Sequence, residues 1–323
     1  MVSSPSHVHA GNYDINGGLG RLYGTVGMAL ESPRYVVEVA ESKDSINVRG
    51  DGRRDEAARF ARAALREARR LGCRLGGLEV VIAEEIPAHV GLGSTTALAL
   101  SIAYGVFKLC GIEPIDPVLL AKVTGRGRYS ALGVYSFSTG GFIVDGGFRP
   151  QEGGVPPLVF RAHVPRRISV IVALPERPIP EIRKIKEREW DILEALPRMS
   201  EEMAMWASRE VLVGVMANIA DGLWEEAFRH LHRFNEKLGE YWRREQGGIY
   251  CCREVSTLIE SAVEAGAWAA CQSSWGPATY VVVDSRRVRE MADVVRGVLD
   301  RFGGGRIWVT RVDNEGAWAR VLD

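Results

Sequence analysis

Short runs of β-branched and aromatic residues predict strands in the first half of the chain. Residues 35–40 and 78–83 are two such runs. Residues 55–71 lie between them and carry apolar side chains at helical spacing, with arginines elsewhere. This pattern predicts an amphipathic helix whose charges form a solvated face rather than a nucleic-acid patch. Residues 94–110 are almost wholly apolar, so we expect a second helix that is buried on most sides.

The remaining pattern continues the mixture of strands and helices. Residues 142–145 predict a strand, and the Gly/Pro-rich residues 146–157 a loop before a domain boundary. A charged segment occupies residues 176–194. We further predict strands at residues 168–174, 279–283 and 306–310, and helices at residues 201–220, 224–244 and 286–302.

The length of the chain predicts two domains. At 323 residues it exceeds what one hydrophobic core usually supports. Strands and helices alternate in both halves, which favours an α+β sandwich for each. We therefore predict an α+β protein with domains at residues 1–160 and 161–323.

Composition narrows the classes of partner. The 41 basic residues balance the 41 acidic ones, so no overall field draws the chain to nucleic acid or to a membrane surface. We find no apolar run of about 18 residues and no signal-like start, and we expect a cytoplasmic protein. The five cysteines are odd in number and suit a reducing compartment. We interpret the adjacent Cys251 and Cys252 as buried or incidental thiols.

The strongest chemical signal is a glycine-rich segment from Pro87 to Ala97, which leads into the predicted buried helix. Glycines let the backbone approach an anion closely, and a helix N-terminus favours negative charge. An N-cap alone would explain one hydroxyl residue here, but not the glycines as well. The candidate phosphate-binding residues are Gly91, Leu92, Gly93, Ser94, Thr95 and Thr96.

This segment resembles the phosphate-binding motif P-x-x-x-G-L-G-S-S-x-A of the GHMP kinase superfamily. The resemblance implies a two-domain fold with an N-terminal α/β sandwich that carries the loop and a C-terminal ferredoxin-like α+β domain. Kinases of the superfamily place a catalytic aspartate in a later S-G-x-D segment. Here the matching stretch begins at Ser130, and Gly133 stands at the aspartate position. A conventional kinase mechanism therefore lacks its base.

Further segments resemble the β-ribofuranosylaminobenzene 5′-phosphate synthase family. That resemblance implies an archaeal enzyme of methanopterin biosynthesis that joins phosphoribosyl pyrophosphate to 4-aminobenzoate or 4-hydroxybenzoate, with loss of pyrophosphate and CO₂. Mg²⁺, small-molecule substrates and a homodimer are implied with it. The segments that carry the resemblance are Asp14 to Gly17, Leu19 to Arg21 with Gly24 and Gly27, Gly125 to Arg128, Gly140 to Gly147, Gln246 to Gly248 and Gln272 to Pro277.

The same segments supply further candidate site residues. Arginines in glycine-flanked loops suit a phosphate or carboxylate, although a solvated loop arginine is the alternative. Three further residues each have an alternative role: a turn for Asp14, a place in the core for Trp275, and a helix C-cap for Gly247. His9 and His89 lie near the motifs, and packing is favoured for both. The assignments are Asp14, Arg21 and Arg126 as catalytic, Ser94 and Asp14 as Mg²⁺ ligands, Arg128, Ser273, Ser274 and Gly276 as phosphate-binding, and Gln246, Gln272 and Trp275 as acceptor-binding.

Two other functions remain open from the sequence. One is an ATP-dependent small-molecule kinase whose base comes from elsewhere, for instance from Asp14; the other is an inactive ligand-binding protein. Ala131 stands where the synthase pattern has glycine, and Asn12 and Tyr13 replace more apolar residues. The choice between an amino and a hydroxyl acceptor also remains open.

Overall fold

A computed structural model describes residues 1–50, 52–176, 192, 195 and 197–322. Most of the charged segment predicted at residues 176–194 lies outside the described residues. The described part contains two β-sheets of seven and four strands with helices packed against them. The predicted α+β class is confirmed.

The first sheet holds the strands of the first half. Its long pair is β1 (Val2–Asp14) and β2 (Tyr23–Ser42), which run antiparallel. The other strands are β3 (Ile46–Arg49), β4 (Gly77–Glu84), β5 (Phe142–Asp145), β6 (Leu158–Ala162) and the C-terminal β11 (Trp318–Ala319). The order is β11-β1-β2-β4-β3, and β5 pairs with β2 and β6.

Four helices accompany this sheet. The amphipathic α1 (Arg54–Arg70) buries four of its alanines with Phe60 and Leu65, as its spacing predicts. The apolar α2 (Ser94–Leu109) is buried along most of its length. The short α3 (Pro117–Thr124) begins at an N-cap formed by the Asp116 side chain, and α4 (Leu132–Ser138) follows it.

The second sheet has the order β10-β7-β9-β8, and all its pairs are antiparallel. Its strands are β7 (Ile168–Pro175), β8 (Ala269–Gln272), β9 (Thr279–Asp284) and β10 (Gly305–Thr310). The helices are α5 (Glu201–Arg209), which continues through a π-helical stretch (Glu210–Ala217), α6 (Trp224–Gln246), α7 (Arg253–Glu264) and α8 (Val288–Arg301).

The two sheets meet through shared segments of chain. The predicted boundary after residue 160 falls inside β6, and the chain changes sheet between Ala162 and Ile168. Strand β11 then returns to pair with β1. One hydrophobic cluster runs through both sheets, and a second lies between β7, β9, α7 and α8.

Two of the five cysteines form a disulfide that was not predicted from the sequence. Cys73, after α1, and Cys110, after α2, form a disulfide that joins the ends of these packed helices, with Cα atoms 5.2 Å apart. The two residues are 37 positions apart in the chain, so spacing gave no sign of the bond. Cys251, Cys252 and Cys271 are free thiols, of which Cys251 and Cys271 are buried.

Candidate active site

A cavity of about 440 Å³ lies between the two sheets, where β1, the glycine-rich segment and α6 meet. Its volume is within the range usual for sites that bind small molecules. The sequence-predicted residues on its wall are Gly91, Gly93, Ser94, Thr95, Thr96, Arg126, Arg128, Gln246, Gln272, Ser274 and Trp275.

The glycine-rich segment forms a tight loop at one end of the cavity. Gly93 is the N-cap of α2 at φ 68°, and no side chain caps this terminus. The alternative that the hydroxyls of this segment serve only as an N-cap is therefore wrong. Ser94, Thr95 and Thr96 lie in its first turn, which contains no acidic residue. The helix terminus thus keeps its affinity for an anion.

A buried arginine supports this loop from behind. The Arg53 guanidinium donates hydrogen bonds to Ser94 Oγ at 3.2 Å and to Thr95 Oγ1 at 2.7 Å. It also pairs with Glu56 and contacts the Tyr35 hydroxyl. Because both loop hydroxyls accept from Arg53, their own protons remain available to donate to an anion. Sequence reasoning missed Arg53, whose only signal is its place just before an arginine-rich helix.

Two predicted arginines reach the same end of the cavity. Arg126 and Arg128 follow the C-cap of α3, where Gly125 has φ 69°. Arg126 Nε donates to Thr96 Oγ1 at 3.3 Å, and the Arg128 guanidinium lies 4.9 Å from the centre of the Tyr129 ring. Positive charge therefore collects beside the loop.

Histidines line the floor of this end. His7 and His9 are two positions apart on β1, so both face the cavity. Burial lowers the pKa of His7 to about 3 and that of His9 to about 4, so both imidazoles are neutral at pH 7. His89 also lines the wall. His7 was not among the sequence candidates, although its alternation with His9 is a signal that could have found it.

The opposite end of the cavity is aromatic and amide-rich. Trp242 on α6 and Trp275 pack edge to face with ring centres 4.8 Å apart, and Tyr250 completes this aromatic end. Trp275 is thus both packed and on the wall. Gln272 Oε1 accepts from the Cys251 amide at 2.7 Å, and its Nε2 donates to Gln246 Oε1 at 3.1 Å. Both amides therefore stabilise this wall, and Gly247 forms the predicted C-cap of α6.

Asn235 on α6 forms hydrogen bonds with two strands of the cavity wall. The Asn235 amide donates to Ala10 O on β1 and to Gln272 O on β8, at 2.7 and 3.0 Å. Its Oδ1 accepts from the Gln272 amide at 3.1 Å. Asn235 thereby joins the two sheets beside the cavity, a role that its isolated sequence position did not reveal.

Five candidates do not line the cavity. Asp14 Oδ1 accepts from the amides of Asn16 and Gly17, which is the turn-forming alternative, and Arg21 Nη1 donates to Gly147 O at 3.1 Å. The Leu92 side chain is in the core. Ser273 is buried, and Gly276 lies in the turn after it. Catalytic, metal-binding or phosphate-binding roles for these five residues stay predictions.

Backbone strain concentrates at this cavity. Among the described residues, the non-glycine positions with positive φ are Tyr23, His89 and Ser274, at 75°, 59° and 55°. All three line the cavity. Left-handed backbone costs energy for such residues and tends to occur at functional sites. The strain therefore supports the cavity as the candidate active site.

The cavity wall offers little to a metal ion by itself. Within the described residues, its one carboxylate is Glu56, and no group of three or more His, Cys, Asp or Glu side chains is arranged to hold a metal. Mg²⁺ is commonly bound by one or two carboxylates plus substrate phosphates. The wall fits an ion that arrives with a phosphate ligand rather than a closed protein site.

No helix among the described residues has the length and apolar character needed to cross a membrane.

Comparisons with known proteins agree with this architecture. The families described as GHMP kinases N terminal domain and GHMP kinases C terminal match residues 57–141 and 216–300. The homoserine kinase of Cytophaga hutchinsonii has a similar structure, with a TM-score of 0.66 at 18% identity over 98% of this chain and 96% of that one. At that identity the likeness shows the fold alone, and the predicted two-domain GHMP fold is confirmed.

Proteins with similar sequences identify a narrower family than the domain matches do. The β-ribofuranosylphenol 5′-phosphate synthase of Methanothermobacter thermautotrophicus is 31% identical, with 98% of each chain covered. The enzyme of the same name from Methanocaldococcus jannaschii is 26% identical, again with 98% of each chain covered.

Proposed function

Because the chain belongs to the β-ribofuranosylphenol 5′-phosphate synthase family, we propose that it catalyses decarboxylating C-ribosyl transfer from phosphoribosyl pyrophosphate to 4-hydroxybenzoate. The products are β-ribofuranosylphenol 5′-phosphate, CO₂ and pyrophosphate, in methanopterin biosynthesis. The names of the relatives favour a phenol product and hence the hydroxyl acceptor over 4-aminobenzoate.

The two unlike ends of the cavity carry this proposal. The loop at Gly91 and Gly93, with Arg126 and Arg128, suits the phosphate groups of the donor. Trp242 and Trp275, packed edge to face, give this end an aromatic wall that suits the ring of the acceptor. A site for a single polar phosphate ester would not need the second surface.

The reaction that fits this arrangement forms one carbon–carbon bond. The C1–O bond of the ribose breaks, and pyrophosphate leaves with its electron pair while C1 acquires oxocarbenium character. The ring carbon that bears the carboxylate bonds to C1, driven by electrons from the para oxygen. The bond to the carboxylate then breaks, CO₂ leaves, and its electron pair restores the aromatic ring.

The chain's own residues have two tasks in this reaction. The loop amides and the hydroxyls of Ser94 and Thr95 bind the pyrophosphate, where negative charge grows as the C1–O bond breaks. Arg126 and Arg128 orient the 5′-phosphate or the arene carboxylate. No step needs a base that removes a proton from a substrate hydroxyl. The reaction therefore accounts for Gly133 at the position of the kinase aspartate.

We propose Mg²⁺ as the counterion of the pyrophosphate. It would neutralise charge on the leaving group, and the Ser94 hydroxyl would be a ligand from the loop. Asp14 belongs to a turn outside the cavity wall, so its predicted role as a ligand would require movement of that turn.

A homodimer is part of the same proposal. Met205, Leu212 and Val213 on α5 and its π-helical continuation are 62%, 59% and 53% exposed. A second copy that covered this apolar face would bury them. The molar mass from light scattering should then be twice that of one chain. In the Leu212→Glu variant the molar mass should fall to that of one chain.

The decisive experiment measures both small products. The protein is mixed with phosphoribosyl pyrophosphate, Mg²⁺ and either 4-hydroxybenzoate or 4-aminobenzoate, and pyrophosphate and CO₂ are quantified. Equal amounts of the two products with 4-hydroxybenzoate support the proposal, and activity only with 4-aminobenzoate would reassign the acceptor. Release with neither acid, together with turnover of ATP, would favour the kinase instead.

A further inference from the structure

The imidazole of His7 fills the space between two glycines of the active site. A Cβ atom added to Gly93 would lie 1.9 Å from His7 Cε1, 2.3 Å from Nδ1 and 2.4 Å from Nε2. A Cβ atom added to Gly133 would lie 2.9 Å from His7 Cε1. These distances are far shorter than ordinary contacts between carbon atoms. The ring therefore requires glycine at both positions.

Gly133 stands at the position where kinases of the GHMP superfamily have their catalytic aspartate. An aspartate side chain there would collide with the His7 ring and with Thr96, whose Cγ2 would lie 2.8 Å from the new Cβ. The missing kinase base and the histidine on β1 are thus two aspects of one steric arrangement. In this chain the imidazole occupies the space next to position 133, where the aspartate side chain of a kinase would lie.

The environment of His7 leaves its ring available to a ligand. His7 is 9% exposed and lines the cavity. Burial, followed by the nearby His9, lowers its pKa, and no hydrogen bond from another described residue contributes to that shift. A neutral imidazole has one N–H donor and one acceptor nitrogen. The ring borders the cavity, so a ligand there that accepts from its N–H would be bound more tightly.

We propose that His7 is a further substrate-contacting residue, whose ring N–H donates a hydrogen bond to the pyrophosphate held on the loop from Gly91 to Thr96. This inference rests on the proposed function. Both ring nitrogens flank Gly93, so an anion at the loop amides lies within reach of the ring. Because the pyrophosphate oxygens gain charge as the C1–O bond breaks, the hydrogen bond is stronger in the transition state than in the ground state.

The first test compares three substitutions at His7. His7→Leu keeps an apolar group of similar size without a donor, whereas His7→Asn and His7→Gln keep an N–H near one or the other ring nitrogen. We expect His7→Leu to lower kcat by about 10- to 100-fold, with a smaller change in KM for phosphoribosyl pyrophosphate. At least one amide variant should restore much of the loss. His163→Leu, at an exposed position, is the matched control.

Calorimetry with inorganic pyrophosphate separates this inference from the overall reaction. Wild-type protein should bind pyrophosphate, His7→Leu should bind it at least about tenfold more weakly, and the better amide variant should bind at intermediate strength. If the variants show this binding pattern but the wild type does not transfer ribose, the proposed reaction is wrong and the role of His7 in binding pyrophosphate stands. Equal pyrophosphate affinity in all variants, or none in the wild type, would overturn the proposal.

A double-mutant cycle tests the placement without any ligand. Gly133 lies in α4, where alanine normally favours the helix, yet Gly133→Ala should lower the melting temperature because the new Cβ would meet both Thr96 and the His7 ring. In a His7→Ala background the same change should cost clearly less. Additive effects of the two substitutions would show that the ring does not occupy this space.

Discussion

The Ser273 hydroxyl donates a hydrogen bond of 2.6 Å to the carbonyl oxygen of Gly91, across 182 residues of chain. The Ser273 hydroxyl oxygen also accepts a hydrogen bond from the His9 amide at 2.9 Å. One buried side chain therefore joins three segments. They are the loop after β8, strand β1 and the glycine-rich loop at residues 91–96, which we call the phosphate loop after its proposed role. Gly91 must be glycine here, because a Cβ atom would lie 2.3 Å from the Ser273 carbonyl oxygen.

Ser273→Ala should weaken the phosphate loop. The change removes one donor from Gly91 and one acceptor from His9, and we expect a loss of about 1–3 kcal/mol in unfolding free energy. Affinity for phosphoribosyl pyrophosphate should fall with it. Ser169→Ala is the control, since Ser169 is also buried and its hydroxyl pairs with that of Ser285 at 2.8 Å, away from the cavity. Equal losses of affinity in both variants would contradict this role.

Gly93→Ala should be far more harmful than Gly111→Ala. The two glycines have nearly equal φ angles of 68° and 66°, so the backbone cost of alanine is matched, at about 1–2 kcal/mol. At Gly111 nothing lies within 4 Å of an added Cβ, whereas at Gly93 the His7 ring does. Chemical denaturation and calorimetry with pyrophosphate measure the difference. Similar stability and affinity in the two variants would refute the close packing at Gly93.

Trp242→Ala should impair the acceptor and spare the donor. Removal of this ring opens the aromatic end of the cavity, and we expect KM for 4-hydroxybenzoate to rise by about tenfold. KM for phosphoribosyl pyrophosphate should change little, because the phosphate loop is at the other end. Trp318→Ala, on the exposed strand β11, is the control. A larger effect on the donor than on the acceptor would reverse the assignment of the two ends.

Stability should fall below pH 6.5, partly because of His9. Burial lowers its pKa to about 4 in the folded protein, so the unfolded chain binds the proton more readily between roughly pH 4 and 6.5. The contribution of this histidine is present above pH 6.5 and is lost as pH falls, by up to about 3 kcal/mol near pH 4. His9→Leu should flatten that dependence in urea titrations, and His163→Leu should not. An unchanged slope in His9→Leu would contradict burial of the ring.

The disulfide between Cys73 and Cys110 should contribute to stability. Closing a loop between residues 37 positions apart restricts the unfolded chain, which corresponds to about 3–4 kcal/mol. Thiol titration of denatured protein should find three free thiols before reduction and five after it. Reduction should lower the melting temperature of the wild type but not of the Cys73→Ser/Cys110→Ser double variant. Five thiols before reduction would rule the bond out.

The sequence alone determined the elements that have a strong local pattern. The strand at Phe142–Asp145 has the predicted bounds, and α1 and α2 begin and end within one residue of theirs. The glycines before α2 predicted a tight loop at a helix N-terminus, which borders the cavity, because their conformational freedom and the helix terminus act locally. Chain length predicted two domains, and family resemblance added their fold type and the reaction.

Only the tertiary structure decided how distant residues meet. Strand β1 escaped prediction because its buried positions include Ser3, Ser4 and Ser6, so its hydrophobic pattern is weak. The positions of Arg53 behind the loop and of His7 beside Gly133 depend on contacts between segments far apart in the chain. Periodicity reports which face of an element is buried, but not which residue of another element it meets. The geometry of the candidate active site arises from those long-range contacts.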